Sequence, residues 1–244
     1  EVKGQLTADN VFERLSYAVE VTYSGGQNDA GKKNAVVSLA KAVMERLVGL
    51  SSDEFVPVMQ SLATSANEKH VQFYLTDSSA QSAMVAAGWS GAIAPSGDTT
   101  DVVAVANAVM RRPAKSNLGV TKALDYAVGL NPDGSADTTL ALHYKKSADN
   151  PLGSLQDRFY DLVRVNRISG TTLRGSKGID TLDDATGLPT FAHYFRLDSG
   201  KSTSVTMAAT VPDALRRGDA GTWRYRLLVA KQADLVDTEA TITV

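Results

Sequence analysis

Several stretches of the chain carry residue types at spacings that do chemistry in other proteins. Gly88-Trp89-Ser90-Gly91-Ala92 nearly spells the nucleophile elbow of serine hydrolases, which holds a serine on a strained turn between a strand and a helix. Here the turn follows a helical segment, its last position is Ala92 instead of glycine, and no histidine has an evident acid partner at suitable spacing. The residues read better as a helix C-cap carrying a packed tryptophan. Ser38-Leu39-Ala40-Lys41 has the serine-lysine spacing in which a lysine deprotonates a serine one helical turn away, but the companion Ser-Asp-Asn and Lys-Thr-Gly segments are absent. It reads as a solvated helix face.

Asn131, Asp133, Ser135 and Asp137 place oxygens at the alternate positions of a calcium loop, with Gly134 between them. The closing glutamate is missing and the segment joins two strands, so a hairpin turn is the preferred reading and Asn131, Asp133 and Asp137 form only a weak calcium candidate. No other metal site and no cofactor is indicated. His70, His143 and His193 each stand alone on an expected strand, without the paired helical spacing of a zinc hydrolase, and are read as structural. Arg111-Arg112-Pro113-Ala114-Lys115 is a short basic knot, read as a solvated loop with a glycan or lipid headgroup as the alternative contact. No glycine-rich phosphate loop precedes a helix.

The elements that must position these residues change character along the chain. Apolar residues at Val11, Phe12, Leu15, Ala18, Val19 and Tyr23 follow helical spacing, with Asp9 or Asn10 as cap and Gly25-Gly26 as stop. A second helix is expected from about Ala30 to Val48, with a stripe wide enough for two neighbours, and a third from Ser51-Ser52-Asp53-Glu54 to about Ala66, with Pro57 near its start. The period then switches. Val71, Phe73 and Leu75 alternate with His70, Gln72, Tyr74 and Thr76 as in a strand. A short helix capped by Ser78 follows, with Ala80, Met84 and Ala87 facing inward until Gly88. Asp101 to Ala106 is a continuous small apolar run, expected of a strand covered on both faces.

Beyond Asn107 helical spacing disappears. Val120 to Leu130 and Thr138 to Tyr144 form a long hairpin across Asn131-Pro132-Asp133-Gly134. Further alternating runs cover Phe159 to Arg167, Thr190 to Leu197, Ser202 to Val211, Thr222 to Ala230 and Val236 to Val244, which together read as a β-sandwich or a related antiparallel sheet.

Composition sets the outer limits. With 244 residues, 43% of them apolar, the chain has ample material for a core. A net charge of −2 supplies no cationic field, which argues against nucleic acid as a partner. With no cysteine there are no disulfides, thiolate sites or cysteine nucleophiles, which fits a cytosolic protein or a Gram-positive extracytoplasmic one equally. No apolar run reaches the roughly 18 residues of a membrane span, so no membrane contact by this segment itself is expected. The amino terminus lacks a signal-peptide pattern and starts almost at a helix, as expected of a part of a longer chain.

Taken in order, these residues resemble the bacterial domain-of-unknown-function 4012 family. Lys69-His70-Val71-Gln72-Phe73-Tyr74 looks like its lysine-histidine strand, Gln81 its helix glutamine, Gly88-Trp89-Ser90-Gly91 its glycine-tryptophan turn, and Asp101 to Asn107 its next strand ending in asparagine. The resemblance continues through Lys115-Ser116-Asn117, Tyr126 and Asp133-Gly134 to Tyr225–Gln232. Arg111-Arg112-Pro113 and Lys122 depart from it. The resemblance implies the carboxy-terminal part of an extracytoplasmic region in the cell envelope, anchored by an amino-terminal transmembrane helix absent from this chain and associated with surface polysaccharide. It carries over no catalytic residue.

The sequence therefore leads to an α+β expectation: a helical amino-terminal part (residues 1–118) packed on a small sheet holding 70–76 and 101–106, then an antiparallel β-sandwich-like half (residues 119–244). The leading functional expectation is a non-enzymatic module binding an envelope glycan or another envelope protein. The rivals are an enzyme of envelope polysaccharide metabolism completed by a missing amino-terminal segment, and a structural platform for oligomerisation. Candidate polar residues are Lys69, His70, Asp77, Gln81, Trp89, Asp101, Asn107 and Lys115.

Overall fold

A computed structural model describes residues 5–19, 29–109, 116–117, 119–149, 157–175, 177–183, 187–230, 232–233 and 238–244. Four α-helices precede the strands: α1 (Val11–Tyr17), α2 (Asp29–Val48), α3 (Ser52–Asn67) and α4 (Ser78–Ala86). Asn10 is the N-cap of α1, and the expected stop at Gly25-Gly26 lies outside the described residues. The start of α3 is held as its sequence predicts, the Ser51 N–H and hydroxyl both donating to Glu54. These bonds hold the Glu54 carboxyl below the usual carboxylate range. Pro57 is tolerated inside α3 in its second turn.

Twelve strands follow among the described residues: β1 (Asp101–Val109), β2 (Val120–Leu130), β3 (Ala136–Lys146), β4 (Arg158–Asn166), β5 (Thr172–Leu173), β6 (Asp180–Leu182), β7 (Thr190–Asp198), β8 (Ser202–Val211), β9 (Arg216–Arg217), β10 (Trp223–Arg224), β11 (Leu227–Ala230) and β12 (Glu239–Thr243). They form two five-stranded, mostly antiparallel sheets in the orders β11-β1-β4-β7-β6 and β12-β2-β3-β8-β5, besides the β9-β10 pair. Each sheet gains one parallel edge strand late in the chain, β11 on β1 and β12 on β2. The protein is thus α+β.

Alternation explains the core. Leu124, Tyr126 and Val128 on β2, Leu140, Leu142 and Tyr144 on β3, and Val205, Met207 and Ala209 on β8 are buried every second residue. Phe159, Val163 and Val165 on β4 and Phe191, Phe195 and Leu197 on β7 join them in one apolar cluster drawn from both sheets. Tyr144 meets Phe195 with ring centroids 4.8 Å apart, which links the inner faces directly. The long hairpin is in the expected register, Leu130 opposite Ala136, with Gly134 supplying the positive φ of 89° that its turn needs.

Four expectations are corrected. Residues 70–76 form no strand: Val71 and Phe73 are half-covered as the alternation requires, but the Phe73 N–H goes to the Trp89 carbonyl at 2.8 Å instead of to a ladder. The sheet containing Asp101–Val109 is consequently not a small one under the helices; β1 pairs with β4 and β11 of the β-rich half. No helix makes an extended interface with either sheet among the described residues, and the apolar stripe of α2 stays exposed at Val36, Val37, Val43, Met44 and Val48. The Thr222 to Ala230 run is also broken, into β10 and β11.

Candidate functional site

The candidate residues separate into three groups. The first lies in the segment that joins α3 to β1, and its members hold two helix ends together. At the end of α3, the His70 N–H reaches the Ser65 carbonyl and the Lys69 N–H the Ala66 carbonyl, with Lys69 itself in the left-handed region at φ 63°. At the end of α4 the same pattern recurs, Trp89 to Met84 and Gly88 to Val85, with Gly88 at φ 73°. The two ends are then laced: the Lys69 ammonium donates to the Gly88 carbonyl, the Trp89 indole to Asn67 Oδ1 at 2.8 Å, and Phe73 packs on Trp89. Trp89 is thus the packed residue of a helix C-cap, as the sequence predicts.

The start of α4 differs by one residue from expectation. Asp77, not Ser78, is the cap, its carboxylate accepting the Ala80 N–H at 2.8 Å, while Gln81 reaches back to the Leu75 N–H at 2.7 Å. Ala87 is exposed, not inward. His70 faces solvent beside Glu68 at 3.6 Å.

Asp101 belongs to a second group, buried between the sheets. Its carboxylate takes the Arg167 guanidinium at 3.0 Å, the Val102 N–H at 2.7 Å and the hydroxyls of Tyr225 (2.6 Å) and Tyr126. Arg167 also donates to the Val102 carbonyl at 2.8 Å and to the Tyr126 oxygen at 2.5 Å. Burial is the main force pushing the Tyr126 and Tyr225 phenols above their ordinary range. Asp101, Arg167 and Tyr126 are buried, and the network reads as a structural tie between the inner faces. Arg167 carries no motif that marks it in the sequence, although Phe159, Asp161, Val163 and Val165 put its odd-numbered position on the inward face.

Asn107 forms the third group and borders a cavity of about 130 Å³ between the β1-β11 and β2-β12 edges, lined by Val105, Asn107, Lys122, Leu124, Leu142, Tyr144, Val229, Gln232 and Thr238 among others. Its side-chain amide donates to the Tyr144 hydroxyl at 2.9 Å and to Asp161 Oδ2 at 2.6 Å. Its backbone pairs with the Gln232 side chain, N–H to Oε1 at 2.7 Å and Nε2 to the carbonyl at 3.2 Å, so an amide side chain extends the β1-β11 pairing by one step. These bonds leave little rotational freedom to Asn107, Tyr144 or Gln232, which is how a small pocket presents fixed polar groups on an apolar wall. Burial raises the Tyr144 phenol above its usual range and keeps it neutral. A second hollow of about 340 Å³ lies between Gln72, Gly91 and Ile93 and β1 residues Ala104 to Ala106.

No cleft gathers Lys69, His70, Asp77, Asp101 and Asn107. Lys115 and the rest of the basic knot lie outside the described residues. The calcium candidates are turned to other partners: Asp133 to the N–H and hydroxyl of Ser135, Asn131 to the Ser135 hydroxyl, and Asp137 to Arg174 at 3.0 Å and Thr210 at 2.9 Å. Among the described residues no group of acidic, histidine or cysteine side chains is placed to hold a metal ion. One histidine corrects the sequence reading. His143 is not alone: it lies between Asp125 at 3.0 Å and Ser204 at 2.8 Å on the outer face of β2, β3 and β8.

No protein-family model matches the chain, and no curated protein matches it. No helix among the described residues is long and apolar enough to cross a membrane.

Proposed function

We propose that this chain is a binding module of a bacterial cell-envelope protein, a β-sandwich with a helical unit attached to one end, held outside the membrane by an anchor elsewhere in the protein and binding an envelope glycan. The observation that carries the reading is the pocket at Asn107, whose polar groups are locked by the sheets while its wall is aliphatic. A ring substituent or an acylamino group fits both the size and the chemistry: apolar contact from Val105 and Val229, hydrogen bonds from the amides. The resemblance of the Lys69 to Asn107 stretch to an envelope-associated family supports the compartment.

An exposed apolar stripe supports a protein partner as the second reading. Val36, Val37, Val43, Met44 and Val48 on α2, with Phe55 and Val56 on α3, present more contiguous apolar side chain than a solvated helix pair needs.

A glycan array on this protein, followed by calorimetry, tests the first reading. Val229→Trp closes the mouth of the pocket and Gln232→Ala frees the Asn107 backbone, and each should weaken binding by at least about tenfold, or about 1.4 kcal/mol. Absence of glycan binding, or binding that Val229→Trp leaves unchanged, rejects the pocket as the site.

A further inference from the structure

The outer face of the β12-β2-β3-β8-β5 sheet carries a hydrogen-bonded chain of the residue types that make a serine nucleophilic. His143 on β3 is directly opposite Ser204 on β8, and its Nδ1 lies 2.8 Å from the Ser204 hydroxyl. On its other side β2 presents Asp125, one pleat away in register, with Oδ2 3.0 Å from His143 Nε2. An ionised carboxylate only accepts, so the proton of the neutral ring sits on Nε2 and the Nδ1 lone pair is left to take the serine hydroxyl proton. The orienting acid, base and hydroxyl stand in the order that acyl transfer requires, with the two ring nitrogens in exchanged roles. Because all three stand on adjacent strands of one ladder, the sheet itself fixes the separations. Lys145 lies two residues along β3 on the same face, about 7 Å on, and is exposed.

We propose that Ser204 is a nucleophile that accepts acyl groups from carboxylic esters, with His143 as general base and Asp125 as the positioning residue that fixes its tautomer. Ser204 Oγ bonds the acyl carbon while its proton passes to His143 Nδ1. Collapse of the tetrahedral intermediate breaks the ester C–O bond, and the departing alkoxide takes that proton as the free alcohol. Water then gives a proton to the same nitrogen and attacks the acyl-serine; the bond between the acyl carbon and Ser204 Oγ breaks, Oγ takes the proton back from His143 Nδ1, and the acid is released. The face is exposed, with Ala141, Ser202 and Thr206 around the chain of three, so it takes an ester displayed on a larger surface or a small ester in solution. Side-chain exposures of 44% for His143 and 60% for Asp125 leave the ring accessible.

The test uses the whole protein with p-nitrophenyl acetate and a fluorophosphonate probe. Mass spectrometry should find one adduct, on the peptide holding Ser204, and Ser204→Ala should abolish it. His143→Ala should slow its formation by at least about 100-fold, the lower range of general-base assistance. Asp125→Asn should slow acylation without changing thermal melting, whereas Tyr194→Ala, on an exposed position of β7 in the other sheet, should leave it unchanged. Absence of an adduct on Ser204, or equal labelling of wild type and His143→Ala, overturns the proposal and reduces the trio to a surface hydrogen-bond chain.

Discussion

The guanidinium of Arg167 lies 3.0 Å from the carboxylate of Asp101, with 1% and 0% of the two side chains exposed. Arg167 follows the last residue of β4 and Asp101 opens β1, yet the hydroxyls of Tyr126 and Thr138 from the opposite sheet complete the same network. A charge taken so far from water is costly unless it is paired and hydrogen-bonded, and here nearly every lone pair of the carboxylate is engaged. The pair consequently fixes the spacing between the sheets at the end where β1 begins.

Removing one partner should therefore damage the fold strongly, and removing the second should add less than it costs alone. Arg167→Met leaves a buried carboxylate without its cation and is expected to cost about 3–5 kcal/mol in urea unfolding. Asp101→Asn strands the guanidinium and should cost a similar amount. The double variant should be more stable than the sum of the singles implies, by roughly 1–3 kcal/mol. Additive losses would mean that the two residues stabilise the fold independently.

Alkaline unfolding should report the buried phenols. The Tyr126 pKa is raised in the folded protein by burial, so its contribution is fully present below the unfolded value of about 10 and is lost as pH rises towards the folded one. In that window the unfolded chain gives up a proton that the native one keeps, and stability should fall by about 1.4 kcal/mol per pH unit for this group. Lys146, lowered by burial, acts with the opposite sign and below its unfolded value of about 10.4, so it ends near where the tyrosine window opens, and the informative comparison is Tyr126→Phe against wild type. The variant should show a shallower alkaline decline. Parallel pH profiles would show that Tyr126 is not the group responsible.

The laced helix ends predict an order of stabilities. Gly88→Ala places a side chain at φ 73°, with its Cβ 3.2 Å from the Lys69 ammonium, and should cost roughly 1–2 kcal/mol. Lys69→Ala keeps the left-handed strain and loses the bond to the Gly88 carbonyl, for a loss of about 1 kcal/mol. Lys69→Gly relieves the strain while losing the same bond and should lie close to wild type. Thermal melts followed by circular dichroism can rank the three; Lys69→Gly falling below Lys69→Ala would show that relieving the left-handed backbone does not offset glycine's extra freedom in the unfolded chain.

Much of this was legible in the residues themselves. The Asn131 to Gly134 turn sets the β2-β3 register, and that register alone places Asp125 and His143 one pleat apart on the same face. Alternation through Phe159, Val163 and Val165 points Asp161 and Arg167 inward, and the Gly88-Trp89 turn announces a helix end. Side-chain direction repeats every two residues and helix capping acts within one turn, so both are written in local sequence.

What pairs with what is decided elsewhere. Val71, Phe73 and Leu75 alternate as a strand does, but a lone alternating segment forms a ladder only where a partner edge is within reach, and here the nearest bonding groups were those of Trp89. Ser204 reaches His143 because β8, not another of the alternating strands, lies beside β3, and Gln232 reaches Asn107 because the chain returns more than a hundred residues later to run parallel to β1. Such choices follow from how all the apolar faces are buried together, a property of the assembled sheets and not of any window of sequence. The sequence determined the element types and the inward and outward faces. Only the tertiary structure decided that Asp101 is a buried tie, that Asn107 walls a pocket, and that Asp125, His143 and Ser204 meet.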